Sequence, residues 1–404
     1  MAVKRTSEKQ PKYIRITDYD DYGIEENHEF MTVDSYSEKH LLKPNDILFA
    51  RTGGTVGKTY FYDGTIGGAV FAGYCIRFRF DESKVVPKFV YWYTKTDTYL
   101  RWVKGIQRPS GQPNINKEEY KAYKIALPKK VIQENLCSFM DNAFNKRMEK
   151  LQRAEELLDG MGKYIRFVLG MKEKDMGKPM IYAVNGIYAI NTRMDPEYHN
   201  PFYMHRVAEI KKLEHDTLGN IIEFSTESWN QKSFFDTFFP YIEISGVKLK
   251  ENTYETTDVP VNEAPSRAKM IVRNGDIIVS TTRPHRGAIA TIVCSVDQIQ
   301  IASTGFCVLR DLKRDDVLKE YLQWILLDDY VLLQMLQRSS GGNYPAISAD
   351  ELKKVVIPIP DINIQMQICL EAERRKLKAY SLRHDAEQEW QSTKAQFEKE
   401  LLRE

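Results

Sequence analysis

The sequence contains few cysteines, and their spacing gives no metal or redox motif. The five are Cys75, Cys137, Cys294, Cys307 and Cys369. None forms a Cys-x-x-Cys pair, which argues against a zinc site or a thioredoxin-type centre. A scattered, odd set is typical of reduced, buried thiols in a cytosolic protein, so we expect a cytoplasmic location.

Long apolar runs and an excess of one charge are also missing. No run approaches the ~18 apolar residues that a membrane span needs, and the start MAVKRTSEKQPKY lacks the apolar core of a secretory signal. We therefore expect no membrane contact. Lys and Arg total 58 against 56 Asp and Glu, a net charge of +2. This balance excludes a uniformly basic coat protein for nucleic acid but allows local basic patches.

Recognisable cofactor and catalytic motifs are absent as well. The segment Gly53–Thr59 ends in Gly-Lys-Thr like a phosphate-binding loop, but Thr52 stands where the Walker pattern needs glycine. The following Tyr60–Tyr62 predicts a strand rather than the required helix. No Gly-x-Gly-x-x-Gly opens a helix, and no catalytic triad can be argued from residue order. We therefore expect a non-catalytic chain that binds no metal or cofactor of its own.

The dominant positive feature is an internal duplication. Tyr13 and Tyr241 stand in matching segments 228 residues apart, Asp46 and Asp276 in segments 230 apart, and Gln133 and Gln365 in segments 232 apart. Gly73 and Cys75 match Gly305 and Cys307 by sequence. An offset that drifts this little over such a length indicates two copies of one structural unit.

Each copy carries the same order of signals. Short alternating strands come first, and then an Asp-containing strand, a polar loop with glycine, and further strands ending near Gly-x-Cys. An amphipathic helix follows (88–104 and 318–338), and then a second polar loop and a last strand ending at Pro128 or Pro360. The second copy also has an extension, 179–238, with a strand-like start and then a helix. Its counterpart is missing from the first copy, which predicts a first domain shortened at its N-terminus.

Long helices follow both copies, at about 131–169 and 363–404. In the first, steps of three and four place apolar residues on one stripe, with Gly160 and Gly162 as a potential kink. In the second, the predicted stripe runs through Leu370, Leu377, Tyr380, Trp390, Phe397 and Leu401. Two such stripes can bury each other in an antiparallel coiled coil, although each helix could also be an ordinary packed core helix.

The sequence thus predicts an α+β fold. Two duplicated domains of mixed β-structure with short helices are separated by two long antiparallel helices that form a coiled coil. The predicted boundaries are 1–130 for the first domain, 131–175 for the central helix, 176–360 for the second domain and 361–404 for the C-terminal helix.

Two polar loops in each copy are the candidate binding residues. Arg and Lys suit guanine, Asn and Gln suit adenine, and Ser, Thr and backbone amides suit phosphates, so the loops predict contacts with double-stranded DNA. They are equally compatible with solvated turns, and Arg108 and Arg338 could instead anchor their loops. The candidates in the first copy are Arg51, Thr52, Lys58, Gln107, Arg108, Ser110, Gln112 and Asn114. Those in the second are Thr281, Thr282, Arg283, His285, Arg286, Arg338, Ser339, Ser340, Asn343 and Tyr344.

The whole pattern resembles the specificity (S) subunit of Type I restriction–modification systems. The resemblance rests on Asn45–Lys58 and Asn274–Gly287, on Gln107–Ile115 and Gln337–Ile347 with the strands that follow, and on Gln133 and Gln365. The segment Arg193–Tyr203 resembles the family's domain opening. The resemblance covers nearly the whole chain, and the duplicated order of the motifs is more specific than any single motif.

The resemblance implies two target recognition domains, each reading one half of a bipartite DNA site, with the helices as a ruler between the halves. It implies that the chain recruits two DNA methyltransferase (modification) subunits, which methylate adenine N6, and restriction or translocase subunits as further partners in phage defence. S-adenosylmethionine, ATP and magnesium would then belong to those partner subunits.

One departure leaves a second hypothesis open. The shortened first domain is also compatible with a truncated or degenerate S-like scaffold that holds a defence complex together without reading DNA sequence by itself. A natural truncation, a late start assignment and a specialised relative all remain open, and a partner chain could complete the domain.

Overall fold

The computed structural model describes residues 2–21, 23–24, 28–107, 113–172, 177–184, 186–230, 237–296 and 298–401. The chain divides into two compact units. The first unit comprises Met1–Leu151 with Arg383–Glu404, and the second comprises Gln152–Leu382. No helix in the described ranges is long and apolar enough to cross a membrane.

Within the described residues, the first unit contains two sheets and three short helices. The strands are β1 (Ala2–Lys4), β2 (Lys12–Ile14), β3 (Met31–Val33), β4 (Asp46–Ala50), β5 (Thr59–Tyr62), β6 (Ala69–Phe71) and β7 (Cys75–Phe78). The four-stranded sheet has the order β1-β3-β2-β6, and the three-stranded sheet has the order β5-β4-β7. The short helices are α1 (Pro87–Tyr93), α2 (Asp97–Ile106) and α3 (Lys117–Ala122). The long helix α4 (Lys130–Val168) starts in this unit.

The second unit repeats this plan with added elements. The strands are β8 (His215–Thr217), β9 (Ile222–Ser225), β10 (Phe238–Ile242), β11 (Val247–Lys248), β12 (Thr253–Tyr254), β13 (Thr257–Pro260), β14 (Ala268–Val272), β15 (Ile277–Ser280), β16 (Ile289–Thr291), β17 (Gln300–Ser303), β18 (Phe306–Leu312) and β19 (Val356–Pro358). Four-stranded sheets have the orders β13-β10-β17-β14 and β16-β15-β18-β9, and β11-β12 and β19-β8 form two-stranded pairs. The helices are α5 (Gly186–Asn191), α6 (Pro201–Ile210), α7 (Leu218–Ile221), α8 (Lys319–Ile325), α9 (Asp329–Gln337), α10 (Ala349–Leu352) and α11 (Ile362–Leu401).

Matching side chains confirm the duplication. Asp46 is buried and paired with Arg79 (Nε–Oδ1, 2.6 Å), and the equivalent Asp276 is buried and paired with Arg310 (Nη2–Oδ2, 2.9 Å). Each carboxylate also accepts a backbone hydrogen bond from the residue three positions earlier, Lys43 or Arg273. The same ion pair, with a buried carboxylate in each copy, therefore lies at the start of β4 and of β15.

The two glutamines at the domain ends are equivalent clamps. The side-chain oxygen of Gln133 accepts from the amide of Val86, and its nitrogen donates to the carbonyl of Pro128 (both 2.8 Å). Gln365 binds the amide of Leu318 and the carbonyl of Pro360 in the same way (2.8 and 2.9 Å). Each glutamine ties the start of a long helix to the domain before it.

The sheet register corrects one detail of the sequence alignment. Cys75 lies opposite Ala50 in the β4–β7 pair, but Ser280, the equivalent of Ala50, lies opposite Phe306. The structural offset here is thus 231 residues, so Cys307 is not the structural equivalent of Cys75. In a sheet, two residues of the two copies are structurally equivalent when they lie opposite equivalent residues of the neighbouring strand. A sequence match rests on side-chain identity instead.

Two secondary-structure predictions were wrong in detail. The predicted helices 88–104 and 318–338 are each two helices, α1 with α2 and α8 with α9. A new N-cap residue starts the second helix of each pair, because the Thr96 side chain accepts from the amide of Tyr99 and that of Asp328 accepts from Tyr330. The predicted strand at the start of the extension is instead the helix α5. A short apolar run by itself does not distinguish a helix from a strand.

The long helices α4 and α11 run antiparallel within each unit. In the first unit Arg147 pairs with Glu387 (3.2 Å) and the ring of Phe144 packs against Trp390. In the second unit the side chain of Gln367 donates to the hydroxyl of Tyr164 (3.2 Å). Later residues of α4 thus meet earlier residues of α11, as the coiled-coil prediction requires. The helix α4 continues through Gly160 and Gly162 without a break.

The apolar stripe predicted for α11 was wrong over its first half. Leu370, Leu377 and Tyr380 are exposed, whereas Trp390, Phe397 and Leu401 are buried as predicted. The buried seam instead uses the alanines Ala372, Ala379 and Ala386, which follow one another at intervals of seven residues. Alanine carries little hydrophobic signal, but its small side chain lets a second helix approach closely.

Candidate nucleic-acid interface

The two candidate loops of the first unit are joined by backbone hydrogen bonds. The first loop follows β4 and the second follows α2. The amide of Gly53 donates to the carbonyl of Pro113 (3.0 Å), and the amide of Ile115 donates to the carbonyl of Arg51 (2.9 Å). These bonds place Thr52 opposite Asn114 in an isolated β-bridge. Arg51, Thr52 and Asn114 therefore lie together.

The second unit holds its loops in the same way. The amide of Arg283 donates to the carbonyl of Pro345 (2.7 Å), and the amide of Ile347 donates to the carbonyl of Thr281 (2.9 Å). Thr282 lies opposite Ala346 in the equivalent bridge. Because these contacts use only main-chain atoms, they keep the geometry of the loop pair while the side chains differ between the copies. We call this arrangement the loop frame.

A glycine closes the first loop of each frame. Gly57 and Gly287 have φ angles of 87° and 75°, in the left-handed region that favours glycine. A Cβ at Gly57 would lie 2.5 Å from Cγ1 of Val103, and one at Gly287 would lie 2.9 Å from Cγ of Lys250. The glycine thus allows the loop to turn back against α2 in the first unit and against the turn at Lys250 in the second.

Arg283 bridges the two loops of the second unit. Its guanidinium donates to the carbonyl of Asn343 (2.9 Å from Nη2) and lies 4.1 Å from the centroid of the Tyr344 ring. Tyr344 is largely exposed, and Asn343 is exposed beside it. The stacked Arg283–Tyr344 pair therefore presents a planar cation and an aromatic ring, both suited to contacts with nucleotides.

Besides Arg283, three basic side chains on the first loops have no ion-pair partner in the described part of the chain. Arg51 and Lys58 are half-buried and Arg286 is exposed. Arg51 and Lys58 form hydrogen bonds to neighbouring residues through their main-chain atoms. These side chains can bind a phosphate or a guanine edge without first breaking an internal salt bridge.

His285 adds a neutral polar group to this surface. Burial, with the neighbouring positive charges of Arg286 and Arg283, lowers the pKa of His285 below its usual value. The imidazole is therefore neutral at pH 7 and can donate or accept a hydrogen bond. Its Nδ1 is buried and has no hydrogen-bond partner within the described ranges.

Several second-loop candidates of the second unit support the fold. Arg338 pairs with Glu351 (Nη1–Oε2, 3.0 Å), and its carbonyl accepts from the guanidinium of Arg193 (2.8 Å). The hydroxyl of Ser339 donates to the carbonyl of Met335 (2.7 Å), and Ser340 pairs with Ala346 through main-chain atoms. The side chains of Arg338 and Ser339 are thus engaged within the unit.

The remaining candidates of the first unit are less fully placed. Gln107 follows α2 directly and is half-buried. Arg108, Ser110 and Gln112 lie outside the described residues.

Sequence reasoning missed Tyr74, an exposed aromatic whose carbonyl accepts from the amide of Arg51 (3.0 Å). A tyrosine directly after Gly73, between two strand-like segments, is the sequence signal that could have identified it.

The segment that ends in Gly-Lys-Thr does not have the backbone of a phosphate-binding loop. The segment Gly53–Thr55 is a single 3-10 turn, and β5 follows it, so the backbone lacks the helix N-terminus that a phosphate-binding loop provides. Within the described ranges, no group of three or more His, Cys, Asp or Glu side chains could hold a metal ion.

Comparisons with known proteins match both copies. A family model described as "Type I restriction modification DNA specificity domain" matches residues 4–158 and again residues 211–370. The Type I restriction enzyme HindI specificity subunit of Haemophilus influenzae is 29% identical over 110 residues, which are 27% of this chain and 24% of that protein. The match therefore spans about a quarter of that relative.

A longer match and a solved structure cover most of the chain. The Type I restriction enzyme MjaVIII specificity subunit of Methanocaldococcus jannaschii is 20% identical over 348 residues, 83% of this chain and 72% of that protein. A chain from a structural study of complex assembly and conformational transition in a type I R-M system has a TM-score of 0.51 and 15% identity. That match covers 97% of this chain and 89% of the other, and it supports the fold.

Proposed function

Because the chain belongs to the Type I restriction modification DNA specificity domain family, we propose that it is the sequence-recognition subunit of a Type I restriction–modification complex. Each loop frame contacts one half of a bipartite site in double-stranded DNA, and the chain itself carries out no catalysis. The observation that carries this proposal is the repetition of the same main-chain loop frame in both units, with different side chains on each. Repeated geometry with different chemistry suits two half-sites of different sequence.

The charges on the frames support contacts to both phosphates and bases. Arg51 and Lys58 in the first unit and Arg286 in the second are uncommitted cations among the described residues. Arginine binds the O6 and N7 atoms of guanine in a bidentate manner, and a lysine on the same loop neutralises a phosphate. Thr52, Asn114, Thr282 and Asn343 supply hydrogen-bonding groups beside these cations.

A second part of the proposal concerns the partners. The chain would bind two DNA methyltransferase subunits, and restriction subunits would join this assembly. S-adenosylmethionine, ATP and magnesium would be bound by those partners. An exposed apolar stripe on α11, formed by Met366, Leu370, Leu377 and Tyr380, supports a protein contact on this helix.

A binding selection from random double-stranded DNA tests DNA reading. The chain is purified with its natural partner subunits, and bound DNA is sequenced after several rounds at physiological salt. We expect enrichment of two short sequences at one fixed separation. Binding without enrichment of any sequence would reject sequence recognition and favour the scaffold hypothesis.

A further inference from the structure

The outer edge of β7 in the first unit is open, although the equivalent edge in the second unit is covered. In the second unit β18 pairs with β15 on one side and with β9 on the other, where Leu309 lies opposite Phe224. In the first unit the sheet order is β5-β4-β7, and no strand in the described part of the chain pairs with the other side of β7. An unpaired edge presents free amide and carbonyl groups that another strand can bind.

An apolar groove lies beside this edge. It has a volume of about 380 Å³, and its lining includes Phe49, Phe78, Phe80, Tyr123 and Ile125. Tyr123 and Ile125 are equivalent to Val355 and Ile357 of the second unit.

In the second unit the extension covers these equivalent positions. The carbonyl of Val355 accepts from the amide of Leu218 (2.8 Å), and Ile357 lies opposite Asp216 in the β19–β8 pair. The groove of the first unit is therefore the counterpart of the place that residues 216–222 fill in the second.

The last segment of the first domain shows the same contrast. Val356–Pro358 forms β19, but the equivalent residues 124–126 form no strand. Leu127 is 52% exposed, whereas the equivalent Ile359 is 3% exposed. Leu127 is apolar although the first unit alone leaves it exposed, as expected for a residue that another segment covers.

Charges at the same edge indicate what the covering segment carries. In the second unit Glu227, two residues after β9, pairs with both Arg310 and Arg273 (2.5 Å each). In the first unit the equivalent Arg79 pairs with Asp46, and Arg77 lies 4.0 Å from the same carboxylate. Lys43, the equivalent of Arg273, is exposed and has no ion pair among the described residues. This edge thus has the cations of the second unit but lacks a counterpart of Glu227 within the described ranges.

Two sources of a covering strand fit this edge poorly. The described residues before β2 include Ala2–Lys4, which form β1 and pair with β3 in the other sheet. A second copy of the chain, pairing β7 with β7, would bring Arg77 and Arg79 of both copies together and supply no added carboxylate next to Lys43.

We propose that the β7 edge and its groove are a docking surface for a segment of a partner protein. This segment adds an antiparallel strand to β7, places apolar side chains in the groove and sets a carboxylate against Lys43 and Arg79. The inference does not depend on DNA recognition, because the β7 edge and its groove are formed by other residues than the loop frames.

Hydrogen exchange on the full chain tests this proposal. The chain is measured alone and in the complex that a C-terminal tag isolates from its host cell. We expect the amides of β7 and of residues 123–127 to exchange at least about tenfold more slowly in the complex, with little change in β4, which is already paired on both sides. A photo-cross-linking residue at Leu127 should capture a peptide with alternating apolar residues followed by Asp or Glu.

A charge reversal provides the matched variant. Lys43→Glu should lower the recovery of the cross-linked partner about tenfold, and Lys9→Glu, an exposed lysine outside this edge, should leave it unchanged. Far-ultraviolet circular dichroism of both variants checks that the first unit remains folded.

Three results would overturn the proposal. Equal exchange of β7 alone and in the complex would show that nothing covers the edge. Protection of β7 in the isolated chain together with a dimeric mass would identify a second copy as the occupant. Protection in the isolated chain, with a native intact mass above 47.0 kDa, would assign the strand to further residues of the same polypeptide.

Discussion

Asp328 and Arg166 form a buried ion pair between the start of α9 and the end of α4. The two side chains are 1% and 6% exposed. Asp328 also caps α9 by accepting from the amide of Tyr330 (2.9 Å). Gly162 leaves room for the pair, because a Cβ there would lie 3.0 Å from Nη1 of Arg166 and 3.1 Å from Oδ2 of Asp328. This buried charged contact thus joins the C-terminal part of α4 to the start of α9.

Breaking this pair should destabilise the second unit strongly. Arg166→Met leaves the Asp328 carboxylate buried without its cation, and we expect a loss of about 3–5 kcal/mol in the free energy of unfolding. Arg153→Met is the matched control, because Arg153 lies on the same helix and makes an exposed pair with Glu156. That change should cost less than about 1 kcal/mol. Urea titration followed by circular dichroism measures both, and equal losses would contradict a special role for the buried pair.

The same carboxyl should give the unfolding free energy a characteristic pH dependence. Burial raises the pKa of Asp328 to about 6, against the opposing effect of Arg166, whereas the unfolded value is about 3.9. Between the unfolded and the folded pKa, the Asp328 carboxyl is therefore more protonated in the folded state than in the unfolded state. The stabilisation that this provides is complete below pH ~4 and is lost as the pH rises through ~6. Asp328→Asn should remove this component. An unchanged difference between pH 4 and pH 7 in that variant would reject the assignment.

Arg286 and Arg338 should behave differently, although both are candidates by sequence. Arg286→Ala should weaken specific DNA binding by about 1–3 kcal/mol if it contacts a base, or lower the salt slope by about one if it contacts a phosphate. Arg338→Ala should lower folding stability, because it leaves Glu351 without that partner. Lys211→Ala, an exposed lysine outside the loops, is the control for both. Fluorescence anisotropy over a salt series measures DNA binding, and thermal melting measures folding stability, so the two effects can be separated. Unchanged DNA binding in Arg286→Ala would remove Arg286 from the site.

The exposed stripe on α11 should matter for partners and not for folding. Leu370 and Leu377 are 72% and 67% exposed, so Leu370→Asp with Leu377→Asp should cost little stability. We expect the double variant to reduce co-purification of the proposed methyltransferase partner at least tenfold. Lys378→Asp, a neighbouring exposed change, should not. Retention of the full complement of partner by the double variant would place the contact elsewhere.

The glycine that closes the first loop gives a prediction about the frame. Gly57→Ala imposes a left-handed backbone on alanine and a clash with Val103, so we expect a loss of roughly 1–3 kcal/mol or more in stability. Gly54→Ala in the same loop meets no atom within 4 Å and has no positive φ, so it should be nearly neutral. Thermal unfolding of both variants makes the comparison, and similar melting temperatures would show that the loop can rearrange.

The repeat, the fold class and the long helices could be predicted from the sequence, because each depends on order and spacing along the chain. The buried face of α11 could not, because Ala372 and Ala379 carry almost no hydrophobic signal and Leu370 and Leu377 carry a strong one. Burial there is decided by how closely the neighbouring helix approaches, which is a tertiary property.

The sequence predicts two candidate loops in each copy, but it does not predict which of their side chains are engaged within the fold. Arg338 and Arg286 look alike in sequence. Only the fold brings Glu351, from α10, to Arg338 and leaves Arg286 exposed. A basic residue becomes available for binding when no carboxylate lies near it, and that depends on long-range packing.

The main-chain nature of the loop frame has an evolutionary consequence. Gly53 and Arg283 donate to Pro113 and Pro345 through atoms that every non-proline residue possesses at the donor position and every residue possesses at the acceptor. Side chains on the loops can therefore be exchanged by mutation or recombination without loss of the bonds that hold the loops together. New combinations of contact residues can arise on an intact scaffold, which separates the inheritance of stability from the diversification of what is bound.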